Sequence, residues 1–327
     1  MVAADVTIRP PEPADLEPIA AMLFACETHD LPDPESLESV LIDLRNEWRR
    51  AGLDLRQDGW VAVGTPGTVL GYAHLVLVAD DTAFVASTSG VHPAHRGLGI
   101  GGALLDRAEV RARELVGGEG RIRAVVSGDG PTTRALFSGR GYRIAEQSWR
   151  MEIDLEEEPV SPEWPSGMTV RRYEPGGGDD RLLFELMRDA FSDNDGYDWT
   201  ASFEEWTSFM LLDDSPANHF LVESDDGLIA AALCPWYPTP DGGWIRQFAV
   251  RRDQRRQGLG RALLGHVFRE LYLVGQRRVG LGVDSWNTTG ARQLYESCGM
   301  RETLRHDKYE KSVGETAGFP HEPPSHR

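Results

Sequence analysis

Hydrophobic and polar positions along the chain follow one order twice. Val6-Thr7-Ile8 is a short β-branched run, and Leu16, Ile19, Met22 and Leu23 then fall at helical spacing from near Asp15. Met168-Thr169-Val170 opens the second series, followed by Leu182, Leu183, Leu186 and Met187 on a helix from near Asp180. Each series continues with two strand-like runs, Trp60 to Val63 with Val69 to Val76, and His219 to Val222 with Leu228 to Leu233. A fourth strand, Ala83 to Val91 or Trp244 to Val250, runs into a glycine-rich loop and a helix. A fifth, Ile122 to Val126 or Val279 to Val283, precedes another helix. The pattern predicts an α/β fold, an α+β mixed sheet flanked by helices, present in two copies.

The duplication is visible residue by residue. Val91-His92-Pro93-Ala94-His95-Arg96-Gly97-Leu98-Gly99-Ile100-Gly101 lies over Val250-Arg251-Arg252-Asp253-Gln254-Arg255-Arg256-Gln257-Gly258-Leu259-Gly260. Ala135-Leu136-Phe137 lies over Gln293-Leu294-Tyr295, and Ile8-Arg9 over Val170-Arg171, at nearly the same separation. A length of 327 residues suits two such domains, because single cores stop growing at about 250 to 300 residues. Pro159, Pro162 and Pro165 within an acidic stretch rule out a regular helix or central strand and predict a semi-rigid linker. The expected division is 1–155, a linker at 156–167, 168–313, and a tail at 314–327 without periodicity, predicted to be disordered.

Composition narrows the function. A net charge of -18 leaves no basic field to neutralise phosphates, so a nucleic-acid role is excluded. Cys26, Cys234 and Cys298 are scattered and show no metal-ligand spacing, so no metal is expected, and their odd number suggests reduced thiols. The N-terminus lacks an export signal, and no apolar run approaches the ~20 residues that span a bilayer. The expectation is a soluble, cytoplasmic protein without a membrane partner. It should be a monomer or weak dimer, since an internal duplication often replaces a homodimer.

The most informative feature is a strand, then Arg-x-x-Gly-x-Gly, then a helix, twice over. Glycines let the backbone turn sharply and let amides approach a ligand closely. Free N–H groups of the helix's first turn point to the same place, where the helix dipole favours an anion. A diphosphate fits such a cradle; a tight strand-to-helix turn without a ligand is the plain alternative. The loop lacks Gly-Lys-Ser/Thr and is not the G-x-G-x-x-G dinucleotide fingerprint.

Arg96-Gly97-Leu98-Gly99-Ile100-Gly101 and Arg255-Arg256-Gln257-Gly258-Leu259-Gly260 resemble the signature of the GCN5-related N-acetyltransferases. The surrounding elements fit as well, so the resemblance reaches to about Ser312 and implies two tandem acyl-CoA N-acyltransferase domains. It implies that amides of 255–261 and 96–101, Arg261 included, bind the coenzyme A diphosphate. It further implies that Phe248-Ala249-Val250, and Ser89-Gly90-Val91 in the first copy, pair with the pantetheine arm. Acetyl-CoA is then the acyl donor.

The second half of each copy separates them. Asn287-Thr288-Thr289-Gly290-Ala291-Arg292-Gln293-Leu294-Tyr295 resembles the family's Asn-x-x-Ala-x-x-Leu-Tyr segment. A phenol near the thioester sulfur can protonate the departing thiolate, so Tyr295 is the general-acid candidate. Asn287 either contacts the cofactor arm or caps the helix. The first copy has Phe137 at the tyrosine position and Asp129 opposite Asn287, and is expected to support the other copy, holding coenzyme at most.

The base is less defined. The strand before the second loop has no carboxylate, unlike many family members. Asp241, Glu204, Glu205, a water chain and Asp284 are all options, and Asp284 is the named candidate. The acceptor pocket is expected around 191–199 and the Trp206 helix, where aspartates beside Tyr197 and Trp199 either grip an ammonium or make a turn. The expected activity is direct attack of a small-molecule primary amine on acetyl-CoA in the second copy. The tandem mycothiol synthase type, acting on an amino-sugar conjugate, is a narrower version. A non-catalytic acetyl-CoA-binding or regulatory protein is the rival.

Overall fold

In the computed structural model, described for residues 5–314 without 51, 80–81, 86–87, 117, 129, 177, 193–201, 212–217, 236–241, 286 and 288, the elements follow the doubled order. The first repeat comprises β1 (Thr7–Arg9), α1 (Leu16–Asp30), α2 (Leu37–Trp48), α3 (Leu55–Asp58), β2 (Gly59–Val63), β3 (Val69–Ala79), β4 (Thr82–Val85), β5 (Gly90–Val91), α4 (Ile100–Val116), β6 (Gly120–Ser127), α5 (Pro131–Gly139) and β7 (Arg143–Asp154). The second comprises β8 (Thr169–Arg172), α6 (Asp179–Phe191), α7 (Phe203–Met210), β9 (Phe220–Ser224), β10 (Gly227–Leu233), β11 (Gly243–Ile245), β12 (Gln247–Val250), α8 (Leu259–Leu273), β13 (Arg278–Asp284), α9 (Ala291–Ser297) and β14 (Arg301–Val313). Among the described residues no helix is long and apolar enough to cross a membrane.

Both repeats begin with the same lock. Arg9 forks onto the two oxygens of Asp15 at 2.6 and 2.8 Å, and that carboxylate also accepts the Glu12 N–H at 2.7 Å. Arg171 does the same to Asp179 at 2.7 and 2.8 Å, with the Glu174 N–H at 3.1 Å. A bidentate charge-assisted pair fixes the first strand to the start of the first helix. The arginine holds both carboxyls below their ordinary range, through its hydrogen bonds first.

The C-terminal unit pairs β8, β9, β10 and β12 as an antiparallel sheet, while β11 runs parallel to β13. In the N-terminal unit β1, β2 and β3 are antiparallel, β5 joins β3, and β4 lies between β3 and the parallel β6. Each unit has its own apolar core. Leu263, Leu264 and Val267 of α8 meet Phe220, Ile229 and Leu281 in one. Ala108 and Ala112 of α4 meet Leu75 and Ile122 in the other. Fully burying such a side chain contributes about 1.5 to 3 kcal/mol.

Two features differ from the sequence expectation. The fourth strand, expected to be continuous over Ala83 to Val91 and over Trp244 to Val250, is divided in both repeats. In the second repeat the halves hydrogen-bond to different neighbours, β13 and β10, and in the first both pair with β3 while only β4 also pairs with β6; a run of alternating residues reveals neither.

The compact units also divide the chain elsewhere than at 1–155 and 168–313. One comprises residues up to Ala145 together with those from Asp307, and the other runs from Glu146 to His306. Each sheet therefore takes its closing strand from the other repeat. Ser148 to Asp154 of β7 pair antiparallel with Asp284 to Arg278 of β13, and Met151 sits in the C-terminal core. Beyond Asp307, β14 lies beside β6, with Tyr309 and Val313 buried in the N-terminal core. Glu310 there meets Arg123 at 2.8 Å, and Lys311 meets Glu109 at 2.7 Å. Residues 156–165 form neither helix nor strand.

Candidate active site

The division of the fourth strand opens the site. Ile245 is the last residue of β11 paired to β13, opposite Leu281. The Arg246 N–H turns instead to the Leu233 carbonyl at 2.8 Å, and Gln247 to Val250 pair with β10. Among the described residues the edge of β12 that would continue toward β13 therefore stands without a partner strand. Phe248, Ala249 and Val250 lie on that edge.

Beyond Val250 the chain makes a 3-10 turn at Arg252–Gln254 and enters α8 through the glycine loop. The Arg255 side chain is structural: its Nε donates to the Val250 carbonyl at 3.2 Å and an Nη to the Ala190 carbonyl at 2.8 Å. The Arg255 N–H is engaged as well, at 3.3 Å from the Arg252 carbonyl. Its place in the expected cradle is thus as a tie holding the loop to the end of α6.

The first ladder bond of α8 runs from the Ala262 N–H to the Gly258 carbonyl at 3.0 Å. The amides of Arg256, Gln257, Gly258, Leu259, Gly260 and Arg261 precede it, and among the described residues none donates to a carbonyl. The backbone that presents them is left-handed at Arg256, φ 65°, and at Gly258, φ 84°. Gly260 brings the loop close to α9, where a Cβ would stand 3.0 Å from a Leu294 methyl and push it aside by a few tenths of an ångström.

The loop opens into a cavity of about 1060 Å³ in the C-terminal unit. Its lining includes Phe248 to Val250, Arg255, Arg256, Gly258, Gly260 and Arg261 together with Asp284, Asn287 and Tyr295. Gln257 and Leu259 belong to the loop but not to the lining. Four arginines, 246, 255, 256 and 261, face one acid, Asp284, among the described lining residues. The site is cationic in a chain of net charge -18. Such a wall favours a polyanion.

Tyr295 sits on α9 with its ring edge-on to Phe248, centroids 6.2 Å apart, and packs in the core while lining the cavity. Burial alone raises its pKa above the ordinary phenol value, so it keeps its proton at neutral pH. Asn287 is not the α9 cap, a position held by Gly290 at φ 83°. Its Oδ1 instead accepts the Thr289 N–H at 3.0 Å and the Thr289 hydroxyl at 2.5 Å, an Asx turn beside the cavity.

Other candidates fall elsewhere. Glu204 is exposed on α7 and does not line the cavity. Asp241, Asp129 and the segment 193–199 lie outside the described residues, and the Glu205 side chain is likewise undescribed. Trp206 is buried against Phe184, centroids 5.7 Å apart, rather than in the cavity. Phe191, Met210 and Arg246 also line the cavity, and of these Phe191 falls in the stretch expected from sequence to shape the acceptor pocket.

The N-terminal unit repeats the loop without the phenol. Gly97 and Gly99 have φ of 79° and 81°, and Ala103 begins the α4 ladder on the Gly99 carbonyl at 3.0 Å. Arg96 reaches the Val91 carbonyl at 3.1 Å and forks onto Asp30 at 2.6 Å, the same tie as Arg255. Leu98, Ile100 and Gly101 complete that loop, and Ser89 to Val91 flank it. Phe137 packs between Tyr142 and Tyr309, centroids 5.0 and 5.3 Å away. Phe137, at the position of Tyr295, has no hydroxyl to donate.

A split strand followed by a glycine loop that opens a helix occurs twice, with a cavity beside it in the C-terminal unit, and defines an acyl-CoA transferase fold. The acetyltransferase (GNAT) family matches residues 21–142 and 181–300, and the chain belongs to it. A mycothiol acetyltransferase of Salinispora arenicola is 33% identical over 93% of this chain and 94% of that protein. Another, from Thermobispora bispora, is 33% identical over 64% of this chain and 70% of its own length. Among solved structures, a GCN5-related N-acetyltransferase from Sphaerobacter thermophilus superposes with a TM-score of 0.81 at 30% identity, covering 98% of this chain and 99% of that one. A tandem GNAT protein from the clavulanic acid biosynthesis pathway shares the fold with a TM-score of 0.72 at 18% identity, covering 95% and 100%.

Proposed function

We propose that the C-terminal unit transfers the acetyl group of acetyl-CoA to a primary amine of a small molecule by direct attack. The observation that carries this reading is that Arg256, Gly258, Gly260 and Arg261, whose amides donate to no carbonyl among the described residues, border one cavity with Tyr295. Those amides and the arginine wall suit the donor's diphosphate, and the free edge of β12 suits its amide-bearing arm. The neutral amine attacks the thioester carbonyl to form a C–N bond. The proton it sheds passes to Asp284, directly or through water, the C–S bond breaks, and the electron pair leaves on sulfur. The Tyr295 hydroxyl hydrogen-bonds to that sulfur and donates its proton, which solvent later restores. The products are an amide and the free thiol.

The acceptor we favour is an amino-sugar conjugate, because one mycothiol acetyltransferase relative matches over 93% of this chain. The N-terminal unit keeps its loop but has Phe137, so it holds coenzyme without catalysing. In this reading the chain is a cytoplasmic enzyme, a monomer or weak dimer. Thiol release with acetyl-CoA and a panel of cysteinyl-glucosamine, glucosamine, kanamycin and spermidine tests it. Release above background with at least one amine is expected. Tight acetyl-CoA binding with no release from any of them sinks the enzyme reading and leaves a binder.

A further inference from the structure

β13 reads Arg278-Val279-Gly280-Leu281-Gly282-Val283-Asp284, an unusual composition for a central strand. Glycine weakens a strand interior and marks places where another group approaches the backbone closely. Val279, Leu281 and Val283 point into the core with α8 and Tyr295, so Gly280, Gly282 and Asp284 look to the opposite face.

The protein itself accounts for Gly280. The Trp244 ring lies on it, and a Cβ there would stand 2.8 Å from the indole. Arg150 holds the indole from beyond, its guanidinium carbon 5.3 Å from the ring centroid and its Nε 2.6 Å from Glu152.

Gly282 has no such occupant among the described residues. Its chain neighbours aside, none of their atoms comes within 4 Å of a Cβ built there, its φ is not left-handed, and it is exposed between buried Leu281 and Val283. It lines the same cavity as Tyr295, from the other face of the sheet. Among the described residues neither packing nor backbone conformation requires glycine here.

We propose that Gly282 is the floor of the acceptor site and sets acceptor specificity. The amine-bearing substrate lies on the bare β13 backbone, on the face away from α8 and α9, and reaches the thioester through the gap between β12 and β13. The ledge runs from the indole on Gly280 to the Asp284 carboxylate. Alternate residues on one face are about 6.6 Å apart, so one saturated ring fits over Gly282. The donor enters from the loop side, so the two substrates meet from opposite faces. This inference rests on the acetyl-transfer reading above.

The test compares Gly282→Ala and Gly282→Val with the parent. Because valine suits a strand, neither change should lower the melting temperature. Gly282→Val should raise the KM of ring-bearing amines, cysteinyl-glucosamine or kanamycin, by about tenfold, as a bulky group intruding on a fitted surface does. Spermidine should be affected least, and the acetyl-CoA dissociation constant should stay within about twofold. An unchanged acceptor KM overturns the inference. So does a donor dissociation constant that rises in step, which gives the space to acetyl-CoA. A fall in melting temperature of more than about 5 °C for Gly282→Ala shows that the protein fills the space itself. A parent that acetylates no amine overturns the enzyme reading and this inference with it, a result distinct from one confined to the variants.

Discussion

Replacing Arg256 by glycine should move stability and donor affinity in opposite directions. Arg256 sits at φ 65°, where a non-glycine residue costs about 1 to 2 kcal/mol. The counterpart in the N-terminal unit is Gly97 at φ 79°, with open space around a Cβ, so the strain is confined to the backbone. Glycine removes it but adds about 0.5 to 1 kcal/mol of unfolded-chain entropy, leaving a net gain between zero and about 1.5 kcal/mol. That corresponds to a melting temperature unchanged or raised by up to about 6 °C.

The guanidinium meanwhile lines the cavity and takes part in no hydrogen bond or ion pair among the described residues. It is exposed, so solvent screening limits what it gives an anion to about 1 kcal/mol, or about fivefold in affinity. Calorimetric titration of acetyl-CoA at low and high salt measures this. Arg256→Gly should weaken binding about fivefold at low salt, and the difference should shrink as salt screens the charge. Equal affinity for parent and variant refutes the anion-gripping role. A variant that melts lower than the parent refutes the strain argument.

Two further outcomes follow from the fold. Asp179 has its pKa lowered first by the Arg171 hydrogen bonds, so its contribution is complete above the unfolded value of about 4 and is lost as pH falls through the folded one. Asp179→Asn should therefore cost about 1 to 3 kcal/mol at neutral pH, and denaturant melts of parent and variant should converge toward pH 3. The closing-strand exchange predicts that a fragment of residues 1–155 folds poorly, because Tyr309 and Val313 of its core are missing. A fragment of 1–145 joined by a short linker to 307–314 should show the cooperative melt that 1–155 lacks, and the reverse order contradicts the exchange.

How much of this was legible beforehand depended on which interactions are local. The doubled loop was legible because Gly99 and Gly258 need left-handed backbone and write that need into the sequence. Tyr295 stood out because its repeat partner is Phe137. The break at Arg246 was not legible: side chains keep alternating from Trp244 to Val250 while the hydrogen-bond partners change from β13 to β10. Nor was the strand exchange, since apolar alternation in 143–154 and 301–313 says that a strand is half buried, not which sheet receives it. Arg255 looked like a ligand contact, yet its side chain and N–H are both used by the loop itself. Gly282 carried a signal, a glycine between core residues, that gains meaning only once the Trp244 ring explains its neighbour Gly280.

The central claim is that the Tyr295 hydroxyl acts on sulfur in the cavity that holds the donor. Single-turnover thiol release by Tyr295→Phe, with acetyl-CoA affinity measured alongside, tests it most directly. The ring keeps its packing on Phe248, so binding and melting temperature should hold while the chemical step slows by about 10² to 10⁴. A variant that releases thiol at the parent's rate contradicts the account.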